Sequence, residues 1–412
     1  MMFVSPQQKQ NGLTLIELLI AMLLGTLMIL GATSMFTANK RVYKEVDYQG
    51  RLAENARFAM EMIIRDLRMT GFIGCAIQQD VSNDLNILTG TTSDPTQLLS
   101  FFARTDATNQ ANSIEGSESG GAWLPSGSTD ASAGGTVVFT GDTSVAAFGT
   151  QVAVTMLTTS DGFTVRFLED TNANLCASMA TTADTLTVEG QSGAIIGGNT
   201  FLGGGVYAAT DCEATNIFQL NADVPGTATT PPAFTLAHAT GTNTPGNVSG
   251  ALSKQYIVAD PANCSASPVD IMIFRARRYF VGQDQAGNPG LYRQIFDANP
   301  NAGNVFGEFA ERLIDGVENM QILYGEDTSG NRVADAYLNA TAVTNWEDVV
   351  SVKLALLFTT VDEDFTAPFD IRANYQLLNA APFDPTPGAN DHRRRKIVEA
   401  TVSLRNRQMT LN

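Results

Sequence analysis

Histidine is almost absent from this 412-residue chain: there are two, His238 and His392. Two imidazoles leave no material for a multi-histidine metal centre. The four cysteines, Cys75, Cys176, Cys212 and Cys264, are too scattered for a zinc ribbon but enough for two disulfides. Basic residues are also scarce, 25 Lys and Arg against 42 Asp and Glu, for a net charge of -17. A field of that sign repels phosphate, so neither nucleic acid nor anionic lipid is an expected general partner. G-x-S-x-G, H-E-x-x-H, a Walker loop and C-x-x-C are all missing. His238 sits in a Thr/Ala/Gly stretch without an evident partner, and no pair of carboxylates is assembled into a site. The sequence therefore names no catalytic residue, no cofactor and no metal. The length predicts roughly two to three domains of about 100–200 residues each, and it is ample for a buried core.

What the chain does have is an apolar N-terminus. Residues 1–12 are polar, with one lysine, Lys9, and no acid. From Leu18 to Asn39 there is no charge, and the 19 residues from Leu18 to Phe36 are almost wholly apolar. As a helix they span roughly 28 Å, close to the ~30 Å hydrocarbon core of a bilayer. This predicts one membrane-spanning helix. Lys9 precedes it and Lys40, Arg41 and Lys44 follow it, so charge does not settle its orientation. Ala32-Thr33-Ser34 is a weak signal-peptidase site, and the helical pattern runs through it. Glu17 interrupts the apolar stretch near its edge. A carboxylate there costs less than the roughly 2.5–3.5 kcal/mol of a mid-helix acid. It is either an interfacial acid in headgroup water or a group that meets a cation in a later, more buried state.

Gly12 followed by Leu13-Thr14-Leu15-Ile16-Glu17-Leu18 resembles the type III signal of type IV pilins and type II secretion pseudopilins. The resemblance implies that prepilin peptidase cleaves between Gly12 and Leu13 on the cytoplasmic side and methylates the new amine of Leu13. It places Glu17 at the fifth mature position. It also implies that the leader is inside and the head outside, in the inner membrane first and then in the pilus. In a filament the Leu13 ammonium would pair with a neighbour's Glu17, a pair far better tolerated in low dielectric than either charge alone. Major pilins begin with Phe and carry proline near the 22nd mature residue, where this chain has Leu13 and Ser34.

Beyond the span, Ala38 to Met69 contains no proline and one glycine, Gly50. Val42, Val46, Gln49, Ala53, Ala56, Met60, Ile63 and Leu67 recur at spacings of three and four, one stripe of an amphipathic helix. Arg57–Glu61 and Glu61–Arg65 are expected i,i+4 pairs on the wet side, and Gly71 is the expected stop. The predicted helix covers 13–69, about 85 Å long, with its transmembrane half at 13–36. Its bland role is to cover its own head, leaving the membrane half to partner helices.

Charge changes after it. Residues 40–69 carry seven basic and five acidic side chains, whereas 70–412 carry 17 and 36. The stretch of about 80–265 is rich in Thr, Ala, Gly and Ser. It holds short β-prone runs at 136–140, 151–158, 163–168, 185–189 and 216–220, and reads as a loop-heavy, β-rich elaboration. From about 266 to 412 the pattern is more regular, with strands at 271–281, 291–296, 319–326, 349–360 and 397–407. In the last, Val398, Ala400, Val402 and Leu404 alternate with Glu399, Thr401, Ser403 and Arg405, which means a half-buried antiparallel strand. The expected fold is α+β and pilin-like: a long N-terminal helix packed on an antiparallel sheet in a β-rich head of residues 70–412, behind a cytoplasmic leader of 1–12.

The segments MTGFIGCA, DGVENMQILYGEDTSGNRVADAY, TNWEDVVSVKLALLF and RRRKIVEATVSLRNR together resemble the PilW family of minor pilins over the first 75 residues and much of 270–407. That resemblance implies a minor pilin that primes type IV pilus assembly at or near the tip. The implied partners are other minor pilins, the major pilin, a tip adhesin, prepilin peptidase and the inner membrane. A J-type minor pseudopilin of type II secretion is the near alternative; a membrane-tethered periplasmic adhesin or binding protein is the distant one. Two further clusters stand out. Glu326, Asp327, Ser329, Asn331 and Asp335 gather oxygens that calcium accepts, without EF-hand spacing, or else form a hairpin turn. His392-Arg393-Arg394-Arg395-Lys396 is either a solvated edge that blunts strand pairing or a dock for an acidic neighbour. The cysteines all lie beyond the span, where an oxidising periplasm favours two disulfides over reactive thiols; three connectivities are open.

Overall fold

A computed structural model of the chain describes residues 14–75, 81–83, 113–118, 136–138, 153–190, 199–225, 233–240, 246–261, 263–284, 286–299, 305–363, 374–385 and 391–406. Helix α1 (Leu15–Met69) is continuous over 55 residues, roughly 80 Å at 1.5 Å per residue. It is the one helix among the described residues long and apolar enough to cross a membrane, and its most apolar stretch is wholly uncovered by protein. The hydroxyls within that stretch bond back to helix carbonyls: Thr26 to Leu23 O, Thr33 to Ile29 O and Ser34 to Gly31 O. No side-chain hydroxyl there is left to seek water. The helix also runs unbroken through Ser34, where a proline would have removed an N–H.

Cover begins at Leu52. Leu52, Ala56, Ala59, Met60, Ile63, Asp66 and Leu67 are buried on the head, a stripe at helical spacing. Of the expected stripe, Ala56, Met60, Ile63 and Leu67 are buried as read, but its first four positions are not, and Leu52 is buried where Ala53 is expected. Val42 and Val46 are 64% and 66% exposed, and Gln49 and Ala53 are exposed as well. Val42, Val46 and Ala53 prolong the apolar membrane face, which can be read as one stripe with the head-facing positions that follow. The wet side differs too. Asp47 pairs with Arg51 at 3.1 Å, and Arg65 turns to Asp66 at 3.4 Å. Exposed i,i+4 pairs are worth only a few tenths of a kcal/mol, too little to fix which partners meet.

Eighteen strands are described. They are β1 (Val81–Asn83), β2 (Ile114–Ser117), β3 (Thr136–Val138), β4 (Ala153–Met156), β5 (Gly162–Leu175), β6 (Leu186–Gly190), β7 (Asn199–Phe201), β8 (Val206–Thr210) and β9 (Thr215–Gln219). Then come β10 (Val224–Pro225), β11 (Ala233–Leu236), β12 (Asp270–Gln283), β13 (Pro289–Asn299), β14 (Val305–Asp315), β15 (Val317–Glu326), β16 (Ala336–Leu338), β17 (Val349–Thr359) and β18 (Arg395–Ser403). The larger sheet runs β1-β9-β8-β12-β5-β6-β11, with β13, β14, β2, β3 and β4 attached. A four-stranded sheet is antiparallel, β16-β15-β17-β18, and β7 and β10 form a separate antiparallel pair. β12 has partners along both edges, β5 and β4 on one and β8 and β13 on the other. Thus the change in composition near residue 266 is not a sheet boundary: β12 belongs with the strands of the middle region.

The helix stripe meets the larger and the four-stranded sheets in one core. Phe163, Val165 and Phe167 of β5, Tyr279 of β12, Met320 and Ile322 of β15, and Leu354, Leu356 and Phe358 of β17 close over it. β18 alternates as its sequence demands, with Val398, Ala400, Val402 and Leu404 on the core side, while Ile397 packs behind the sheet against a separate cluster with Tyr375 and Leu377. The architecture is α+β.

In a fragment beginning at Tyr43, Ile63→Ala should lower unfolding free energy by about 2–5 kcal/mol. Val46→Ala should change it by less than about 0.5 kcal/mol. Urea denaturation measures both, and a comparable loss at Val46 would restore the longer stripe expected from the sequence.

Candidate functional site: the two ends of the long helix

At the N-terminal end, Thr14 is the helix cap. Its hydroxyl accepts from the Glu17 N–H at 3.4 Å, and the Glu17 carboxylate accepts from the Thr14 N–H at 3.3 Å. This reciprocal box satisfies two otherwise orphaned donors. It also holds the Glu17 carboxylate at the positive end of the helix dipole and turned back along the chain. Gly12, Leu13 and the rest of the leader lie outside the described residues. A carboxylate held there is suited to receive a cation arriving at the helix N-terminus, since an ammonium can replace the weak neutral donors.

At the other end the helix is fastened to the head. Asp66 is 1% exposed. Its carboxylate accepts from Arg277 Nη1 at 2.6 Å and from the Tyr279 hydroxyl at 2.5 Å, both on β12, and Arg293 of β13 stands 3.9 Å away. Burial, then the Asp66 charge, pushes the Tyr279 phenol far above its ordinary range, so its proton stays on and is donated. Tyr279 in turn stacks on Phe163 at 5.1 Å between ring centres. The sequence does not reveal Asp66, because an acid on an amphipathic helix reads as solvated until its partners, more than 200 residues on, are placed.

The segment after the helix is clamped as well. Asn406 donates to the carbonyls of Arg68, Met69 and Thr70 at 3.1, 3.3 and 3.2 Å, capping the helix C-terminus from the end of β18. Gly71, at φ +76°, makes the turn that stops the helix. Thr210 and Thr215 of β8 and β9 both donate to the Ile73 carbonyl, at 3.4 and 3.2 Å. Beside them Cys75 is bonded to Cys212, and Cys176 to Cys264. That is one of the three open connectivities, and it leaves no free thiol.

The remaining candidates are absorbed by the fold. The basic cluster is in part drawn into the fold, while Lys396 stays exposed. Arg395, 1% exposed, is held by Glu318 at 2.6 Å and by Asp391 at 2.6 Å, and Arg394 reaches Glu45 of α1 at 2.9 Å. Asp391 lies only four positions before Arg395, but Glu318 and Glu45 are distant in sequence, and a linear reading cannot supply them. In the 326–335 loop, Asp327 accepts from the N–H groups of Gly330 and Arg332 at 2.8 and 2.5 Å, and Asp335 from Thr328 and Ser329 at 2.8 and 2.9 Å. Glu326 accepts from the N–H groups of Thr344 and Asn345. Desolvation works against the Asp327 charge, but the N–H groups of Arg332 and Gly330 outweigh it and hold the carboxyl below its usual range. The oxygens that calcium would use thus serve as turn acceptors. His238 is buried against Phe218, with Nε2 2.8 Å from the Asp184 carbonyl.

Comparison with known families gives two matches. The prokaryotic N-terminal methylation motif matches residues 7–33, which include Gly12, Leu13 and Glu17. The family described as Type IV Pilus-assembly protein W, PilW, matches residues 278–406, from within β12 to the Asn406 cap. No curated protein and no solved structure matches the chain.

Asp66→Asn should destabilise the head by about 3–5 kcal/mol, because it leaves the buried Arg277 without its close counter-charge, Glu169 standing 3.9 Å off, while Arg293 keeps Glu311. Adding Arg277→Gln should recover part of that loss. A double-mutant cycle by urea denaturation measures the coupling, and additive losses would contradict the contact.

Proposed function

Because the chain is a type IV pilin-like protein of the PilW family, we propose that it is a minor pilin that helps to prime pilus growth and is carried into the filament, at or near the tip, by α1. The observation that carries this reading is the division of the helix. Its apolar half, ending near Phe36, is uncovered, and its other half is locked to a large head by Asp66 and Asn406. A helix of this kind transmits whatever its free half binds to the head. In the membrane that half sits in hydrocarbon; in a filament it packs against the helices of other pilins.

In this reading the leader of residues 1–12 is cytoplasmic and is removed by prepilin peptidase, and 13–36 spans the inner membrane. Residues 70–412 form the periplasmic head. The Leu13 ammonium of the mature chain, or that of a neighbour, displaces the neutral donors from Glu17. The family matches point to a structural pilus component, and no chemistry is assigned to the head. Other minor pilins, the major pilin and a tip adhesin are its proposed partners.

Deleting the gene should abolish or sharply reduce surface pili, and the intact chain should restore them. Glu17→Ala should enter the membrane as well as the intact chain, since loss of a carboxylate only eases insertion, yet fail to restore piliation. Membrane fractionation and pilus counts by electron microscopy read both. Unchanged pilus number in the deletion strain would contradict the proposal, and loss of exoprotein secretion instead would assign the chain to type II secretion.

A further inference from the structure

The two disulfides cross. Cys75 joins Cys212 and Cys176 joins Cys264, over separations of 137 and 88 positions, so each loop encloses one end of the other. No two cysteines adjacent in sequence are paired. The shortest loop available, Cys176 to Cys212 at 36 positions, is not used. If ring size alone decided, the native connectivity would be the least populated of the three, in about one chain in seven.

Only the folded head can impose this pairing, and the strand that imposes it is made after all four cysteines. Asp270, at the start of β12, pairs with Asn174 of β5 on one edge and with Thr210 of β8 on the other. Cys176 and Cys212 each lie two positions beyond those partners. β12 therefore stands as a wedge between the strands that lead to these two cysteines. It also brings up Val269, whose carbonyl accepts from the Leu175 N–H at 3.0 Å beside the Cys176–Cys264 bridge. All four cysteines precede β12 in the chain. With the N-terminus anchored in the membrane, Cys75 enters the oxidising side first and Cys264 last. Cys176 and Cys212 are thus exposed together before anything separates them.

We propose that the head depends for efficient native pairing on a periplasmic thiol–disulfide isomerase, a partner distinct from the oxidase that first joins its thiols. The proposal rests on the membrane orientation given above. An oxidase disulfide takes two electrons from a first pair, Cys176 and Cys212, and becomes a dithiol. The isomerase thiolate attacks Cys212 Sγ, forming a mixed disulfide and releasing the Cys176 thiolate. The Cys75 thiolate then attacks Cys212 Sγ, forming Cys75–Cys212 and releasing the isomerase thiolate with no net redox change. A second oxidase disulfide joins Cys176 to Cys264, so four thiols and two oxidase disulfides give two protein disulfides and two oxidase dithiols.

The test expresses the full chain in two bacterial hosts, both with the periplasmic oxidase and only one with the isomerase. Disulfides are mapped by mass spectrometry of thiol-blocked, unreduced peptides. With the isomerase, Cys75–Cys212 and Cys176–Cys264 should dominate. Without it, native pairing should fall at least twofold, and Cys176–Cys212 or Cys75–Cys176 peptides should appear. The full chain carrying Cys176→Ser and Cys264→Ser has one pair and no wrong partner, so it should form Cys75–Cys212 equally in both hosts. Equal native pairing of the intact chain in both hosts would overturn the proposal, as would an isomerase requirement in the two-cysteine variant. Four free thiols in both hosts would instead overturn the periplasmic placement, and the proposal with it.

Discussion

Helix α1 has to satisfy two surroundings with one unbroken hydrogen-bond ladder, and the arrangement of the head follows from that. Up to Phe36 the helix presents apolar side chains in every direction and no protein covers them. From Leu52 it is apolar on one side only, and that side closes the core between the larger and the four-stranded sheets. The length between, with Val42 and Val46 exposed, is a stalk that touches the head through the Glu45–Arg394 pair but lies outside its core. Because the peptide ladder is continuous through all three parts, a force or a contact at one end reaches the other without a hinge.

That rigidity would be wasted if the head could pivot on the helix. The apolar stripe supplies most of the attraction, at about 1.5–3 kcal/mol for each large side chain buried, but apolar contact alone tolerates sliding. Asp66 supplies direction. Its two hydrogen bonds to Arg277 and Tyr279 come from one strand, so the helix can satisfy them in one rotation and one axial position. Asn406, reaching from the far end of the chain to three carbonyls of the last turn, fixes the same helix end from β18. The Cys75–Cys212 bond then ties the first residues after the helix to β8 and β9.

Much of this was legible in the sequence, and the parts that were not share a cause. The Gly12–Glu17 motif, the uncharged run and the alternation in β18 are local patterns, and local chemistry decides them. The phase of the helix stripe failed at Ala53 against Leu52 because the membrane face and the head face overlap in the stretch where one hands over to the other. Asp66, the paired arginines Arg394 and Arg395, and the choice among three disulfide connectivities each depend on residues far away in the chain. The turn carboxylates at 327 and 335 were recognised as clustered, but whether oxygens face a cation or N–H groups is set by backbone direction, which spacing does not encode.

The claim on which the account stands is that α1 begins the mature protein and stays with it. Mass spectrometry of the N-terminal peptide, from chain extracted out of its native membrane, measures this directly. The account predicts a peptide that starts at Leu13 with a methylated amine. A peptide starting at Met1, or one starting beyond Ser34, would contradict it.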